Sequence, residues 1–172
     1  MLTAGLRSLP SRRIAAFGVD ACVLATWGCL VFAFVMVATN ADPPRPGSPW
    51  TSQAIGFLCM TAPALLYGAV AERSAWCGTL GKRVTGLRVE TTLGGRLTFL
   101  HALLRNGIKF TPWECGHTVA HQAAFAGDAA PPLWLWLAAT IACVVPIWWS
   151  INLGLLGETP FDRWTRTRVT SR

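Results

Sequence analysis

Arg13 and Asp20 lie seven residues apart, which is two helical turns along one face. At 1.5 Å per residue, Asp20 sits about 10 Å further along that helix than Arg13. If Arg13 marks a membrane surface, an unpaired carboxylate at that depth costs about 2.5–3.5 kcal/mol. Asp20 therefore needs a partner, water or a proton. Depth points to Arg105: on a helix entering near Leu97 it is about 12 Å in. An Asp20–Arg105 ion pair facing a helix bundle is the expectation. It would serve either to fix helix register or to form part of an ion or proton path. Lys109 follows at about 18 Å on a neighbouring face, with Asn106 available to hydrogen-bond.

The second set, Glu114, His117 and His121, is spaced i, i+3, i+7, again one face. Glu-x-x-His can ligate metal, but bundle metal sites take such motifs from more than one helix. With only three histidines, His101, His117 and His121, all on the helix expected over 97–124, no metal and no cofactor is expected. A proton relay together with Lys109 and a hydrogen-bonded structural cluster both stay open. His117-Thr-Val-Ala-His121 lacks the glutamate of a zinc-protease motif. Gly81-Lys82 is followed by Arg83 and preceded by Trp76, so it is no P-loop, and no Gly-x-Ser-x-Gly elbow occurs. No nucleophile–base pair can be assembled, and an enzyme is not expected.

The elements that must position these groups follow from composition. Of 172 residues, 52% are hydrophobic and 13% charged, about half the charged share of a soluble domain. With nine Trp and eight Phe, a soluble core of this size could not hide the apolar surface, and disorder is excluded. The six cysteines form no C-x-x-C pair and read as small hydrophobes. Residues 14–38, 53–71 and 133–153 form clear apolar spans, with kinks expected at Pro63 and Pro146. Between them, 39–52 is a Pro- and Gly-rich external loop, and 72–98 a compact polar connection. Strand character over 84–90 and the Gly94-Gly95 turn admit a small β-hairpin there. Lys82, Arg83 and Arg88 in this connection are candidates to contact lipid head groups or a partner.

Residues 97–124 are too polar to read as a span by hydropathy, but charge distribution argues for one. With four crossings, twelve of the fifteen basic residues fall on the cytoplasmic side and only Arg45 outside, Arg105 and Lys109 lying within the third helix. The expectation is an all-α membrane protein: a four-helix transmembrane bundle with both termini cytoplasmic. The net charge of +7 fits this topology better than nucleic-acid binding.

The segment Arg12-Arg13-Ile14-Ala15-Ala16-Phe17-Gly18-Val19-Asp20 resembles the opening of the RDD family of small integral membrane proteins, named for an arginine and two aspartates. The resemblance continues through Gly78-Thr79-Leu80-Gly81-Lys82-Arg83-Val84-Thr85-Gly86-Leu87-Arg88-Val89, Gly94-Gly95-Arg96 and Leu103-Leu104-Arg105-Asn106. It closes on Phe161-Asp162-Arg163-Trp164-Thr165-Arg166-Thr167-Arg168-Val169, where the family usually has His at the place of Phe161 and commonly Gly at that of Arg166. It spans about residues 11–170 as one domain, leaving 1–10 as a short cytoplasmic tail. The resemblance implies Arg13, Asp20 and Asp162 as the signature triad.

For activity, the family implies transport as the usual suggestion and names no substrate. One expectation is a small cell-membrane transporter or ion-coupled permeation subunit working as a homo-oligomer, with Asp20 as proton or cation site. The other is a non-catalytic scaffold or accessory subunit binding membrane lipid or a partner protein, in which Asp162 ties the tail to Arg12, Arg13 or Lys82.

Overall fold

A computed structural model describes residues 10–172; the expected tail, apart from Pro10, lies outside the described residues. The described chain is mostly helical, with one small two-stranded sheet. The order is α1 (Pro10–Ala38), α2 (Pro49–Gly56), a π turn (Phe57–Thr61), α3 (Ala62–Arg73), α4 (Leu80–Val84), β1 (Leu87–Thr91), α5 (Phe99–Ala126), α6 (Leu133–Leu156), α7 (Pro160–Trp164) and β2 (Thr167–Ser171). Among the described residues, three helices are long and apolar enough to cross a membrane: Pro10–Ala38, Pro49–Arg73 and Leu133–Leu156. Helix α5 has 28 residues, and its polar side chains lower its hydropathy.

The chain packs as two compact units. The first takes the described part of Met1–Cys22 with Leu65–Lys109 and Ile147–Arg172; the second takes Val23–Ala64 and Phe110–Pro146.

In the first unit, β1 and β2 pair antiparallel over five residues, from Leu87↔Ser171 to Thr91↔Thr167. Alternation along β1 turns Leu87 and Val89 inward, where they join Val169, Ala16, Ala69, Leu97 and Ala102 in the core. This corrects the expected local hairpin. Gly94 and Gly95 do adopt positive φ and close a turn back to Thr91. The strand's partner, however, is the C-terminal segment, whose Val169 lies opposite Val89 and joins the same core. A tight contact fixes α4 as well: a Cβ on Gly81 would stand 2.0 Å from the Ala16 carbonyl oxygen.

In the second unit, Ser48 caps α2, accepting from the Thr51 N–H at 3.1 Å, and Pro49 occupies the first turn. Pro63 has no N–H for the carbonyl four residues before it, that of Cys59. The Trp27 indole N–H donates to that carbonyl at 2.8 Å, and the helix takes its π turn just ahead of the proline. The Trp50 and Trp134 rings stack with centroids 5.9 Å apart.

Candidate functional site

The first unit holds a closed cluster of charges. Arg105, on the second turn of α5, is 1% exposed. Its Nη1 donates to Glu72 Oε1 at 2.8 Å, its Nη2 to Asp162 Oδ1 at 2.6 Å, and its Nε to Thr167 Oγ1 at 3.2 Å. The guanidinium also lies 5.1 Å from the Phe161 ring centroid. Glu72, at the end of α3, is fully buried and accepts further from Lys82 Nζ at 2.7 Å and Asn106 Nδ2 at 3.1 Å. Asp162 Oδ2 accepts from Arg13 Nη2 at 2.5 Å. The hydroxyl and N–H of Thr159 reach the same oxygen in a capping-box arrangement that starts α7.

Burial opposes the charge of Asp162. The Arg105 and Arg13 guanidiniums and the hydrogen bonds from Arg13 and Thr159 outweigh it and hold the carboxyl well below the usual carboxylate range. Three cations and two carboxylates are thus joined with their donors and acceptors met, the condition under which buried charge is tolerated.

Asp20 stands apart from this chain of ion pairs, which corrects the expected Asp20–Arg105 pair. Its Oδ2 accepts from the Thr79 hydroxyl at 2.6 Å, and its Oδ1 from the Gly81 N–H at 2.9 Å and the Tyr67 hydroxyl at 3.1 Å. The Tyr67 oxygen in turn accepts the Leu80 N–H at 2.8 Å. Asp20 therefore caps the first turn of α4 from a different helix, where free N–H groups favour a carboxylate. Depth matching selected a cation for Asp20, whereas the structure supplies neutral donors.

The predicted lipid contacts divide. Lys82 is buried on Glu72, which corrects its placement among residues facing lipid. Arg83 is exposed with its guanidinium 4.1 Å from the Trp76 ring centroid, and Arg88 is exposed, 2.8 Å from Glu90. Asp162 does tie the tail to Arg13, but its second cation is Arg105 rather than Arg12 or Lys82.

The second unit carries a different polar set. Glu114 Oε1 accepts the Thr61 hydroxyl and lies 3.3 Å from His117 Nδ1. His117 and His121 meet edge to face at 6.0 Å, His121 Nδ1 lies 2.9 Å from Ser52 Oγ, and Gln53 Nε2 donates to Thr118 Oγ1 at 2.6 Å. Lys109, grouped with these residues in the sequence, falls in the first unit. Among the described residues, no group of three or more His, Cys, Asp or Glu is arranged to hold a metal ion.

Glu72, Thr159, Tyr67 and Thr61 were not among the residues singled out in the sequence. Glu72 carried a legible signal: it is an acid at the inner end of an apolar run, and such an acid requires a partner. The hydroxyl residues carried none, since Thr and Tyr are ordinary in apolar helices.

Long apolar helices, closed at one unit by a buried charge cluster and a strand from the tail, define a multi-helix membrane-type protein. The chain belongs to the RDD family, whose family model matches residues 7–166, nearly its whole length. No curated protein matches the chain, and no solved structure does.

Proposed function

We propose that this chain is a four-crossing cell-membrane subunit, with both termini cytoplasmic, that moves protons or monovalent cations along the Glu114 face of α5. Four helical stretches of 24–29 residues support the count, each long enough for a bilayer core of about 30 Å. The start of α1, the end of α3, the start of α5 and the end of α6 all belong to the first unit, as an up-and-down order requires. Twelve of the fifteen basic residues flank these helix ends, which supports a cytoplasmic side for them.

The observation that carries the transport reading is Glu114, which accepts from Thr61 beside His117 within a helix of a membrane-type protein. An ionisable Glu–His pair in such a place is a functional-site hypothesis by its cost alone. Arg13, Arg105 and Asp162 then work as a structural clasp rather than as the path. A single chain of this size leaves little room for a water-filled route, so a homo-oligomer or a membrane partner supplies its remaining walls. The second reading, a scaffold or accessory subunit, is favoured by the mutual closure of Arg13, Arg105, Lys82, Glu72 and Asp162.

Proton, Na⁺ and K⁺ flux in proteoliposomes tests this. Glu114→Gln should lose flux at least tenfold while staying folded. Full flux in folded Glu114→Gln would sink the assignment, and no flux in the wild type would leave the scaffold reading. Labelling of Asp128→Cys by an external impermeant reagent, in a cysteine-free background, tests the topology; protection would remove the fourth crossing.

A further inference from the structure

Past the last residue of the Pro49–Arg73 helix, the first unit opens a cleft of about 480 Å³ lined by Trp76, Cys77, Arg88, Glu90, Arg96 and Arg172, among others. We propose that this cleft binds a phosphate group at the membrane surface, carried by an anionic lipid head group or free in solution. The proposal does not rest on the transport reading.

Three of the lining residues are arginines against a single carboxylate, and no lysine takes part. Glu90 is already engaged, by Arg88 at 2.8 Å and by Arg168 at 3.6 Å from outside the lining. Arg172 donates a hydrogen bond from Nη2 to the Trp76 carbonyl, which ties two of the lining residues together and uses one of its five N–H donors. Arg96 is exposed on the loop after Gly95. Guanidiniums present planar pairs of donors that match phosphate oxygens, and more than one can share the same group.

The rim is suited to the interface. Trp76 is 47% exposed, three residues past the end of α3, so at most about 11 Å of chain separates it from that helix end. Leu80, Val84 and Leu93 are exposed on the same connection, and Arg83 covers the Trp76 ring. Exposed apolar and aromatic side chains next to arginines are what a head-group layer accommodates. The sequence pointed to Lys82, Arg83 and Arg88 for this role; the cleft keeps Arg88 alone of the three and adds Arg96 and Arg172.

The test is native mass spectrometry of the detergent-solubilised full chain, titrated separately with dioleoylphosphatidylglycerol, dioleoylphosphatidylcholine and inorganic phosphate. The triple variant Arg88→Gln/Arg96→Gln/Arg172→Gln should bind phosphatidylglycerol at least tenfold more weakly. The triple variant Arg12→Gln/Arg45→Gln/Arg163→Gln, with the same change in charge elsewhere, should stay within twofold of wild type. Preference for phosphatidylglycerol over phosphatidylcholine, lost in the first variant, assigns the site to lipid. Inorganic phosphate bound by wild type and lost in that variant assigns it to a soluble anion. Equal loss in both triple variants, no loss in either, or no binding of any probe by wild type overturns the proposal. Should the first variant fail to fold, Arg96→Gln alone decides: about threefold weaker binding supports the cleft, and unchanged binding overturns it.

Discussion

The two units solve the problem of polar groups in an apolar chain in opposite ways. The first gathers full charges and closes them on one another: the side chains of Glu72, Asp162 and Arg105 are 0–2% exposed, and each carboxylate meets two cations. The second uses one carboxylate, two imidazoles, hydroxyls and an amide, and leaves Glu114 and His117 23% and 27% exposed. A paired, buried charge is a lock, because neither partner can leave without stranding the other. A partly open Glu–His pair can exchange a proton without dismantling its surroundings. Placing Arg13 and Asp162 of the signature triad in the lock, with Asp20 capping α4, moves the candidate chemistry away from them.

The largest effect that separates the units should come from Asp162→Asn. It leaves Arg13 and Arg105 without their shared carboxylate and should cost about 3–5 kcal/mol in unfolding free energy in detergent. A loss below about 1 kcal/mol would mean that the first unit is no lock. Asp20→Asn should cost about 1–3 kcal/mol, since the amide turns a donor toward the Thr79, Gly81 and Tyr67 donors. Flux per folded molecule should be unchanged in this variant, and selective loss of flux would return Asp20 to the path.

Acid should weaken the same unit. The folded pKa of Asp162 lies below its unfolded value of about 3.9, so its stabilisation is complete above that value. It is lost as pH falls from there toward the folded value. Melting curves between pH 7 and pH 3 should show the drop beginning near pH 4, and Asp162→Asn should lose its share of that slope.

In the second unit, Glu114→Gln should change stability by no more than about 1 kcal/mol, because the amide oxygen can still accept from Thr61. Its effect should be on flux; severe destabilisation would make the two units alike. The smallest effect concerns the strand that closes the lock. Arg166 holds φ 47°, a left-handed conformation, and its carbonyl accepts the Thr92 N–H at 2.9 Å. Arg166→Gly should raise stability by up to about 1 kcal/mol, read as a higher Tm, since glycine adopts that geometry without a Cβ clash. The glycine that the family commonly carries at this place has the same physical reason.

The sequence by itself determined the membrane class and the four long helical stretches, α5 among them, but not the short helices α4 and α7. Span ends at Ala38 and Arg73 agree with the expected 38 and 71 because loss of hydropathy and loss of helix coincide there. Strand character was likewise readable over 84–90; the strand runs Leu87–Thr91, and Val84, the first residue expected in it, ends α4. Arg105 and Asp20 were legible as residues in need of partners, since burial cost depends on residue type and depth alone, whereas Asp162 was legible only through the family resemblance.

Which partner each takes was decided only by the tertiary structure. Asp20 and Arg105 match in depth, but depth leaves rotation about each helix axis free. The close approach of Gly81 to Ala16 brings the α4 N–H groups to Asp20 first. The pairing of β1 with a strand 76 residues further on was equally hidden. Gly94-Gly95 offered a nearer turn, but past it Leu97 enters the core and the chain continues into α5 rather than forming a strand. Local pattern reports what each residue must satisfy. Long-range packing chooses the group that satisfies it.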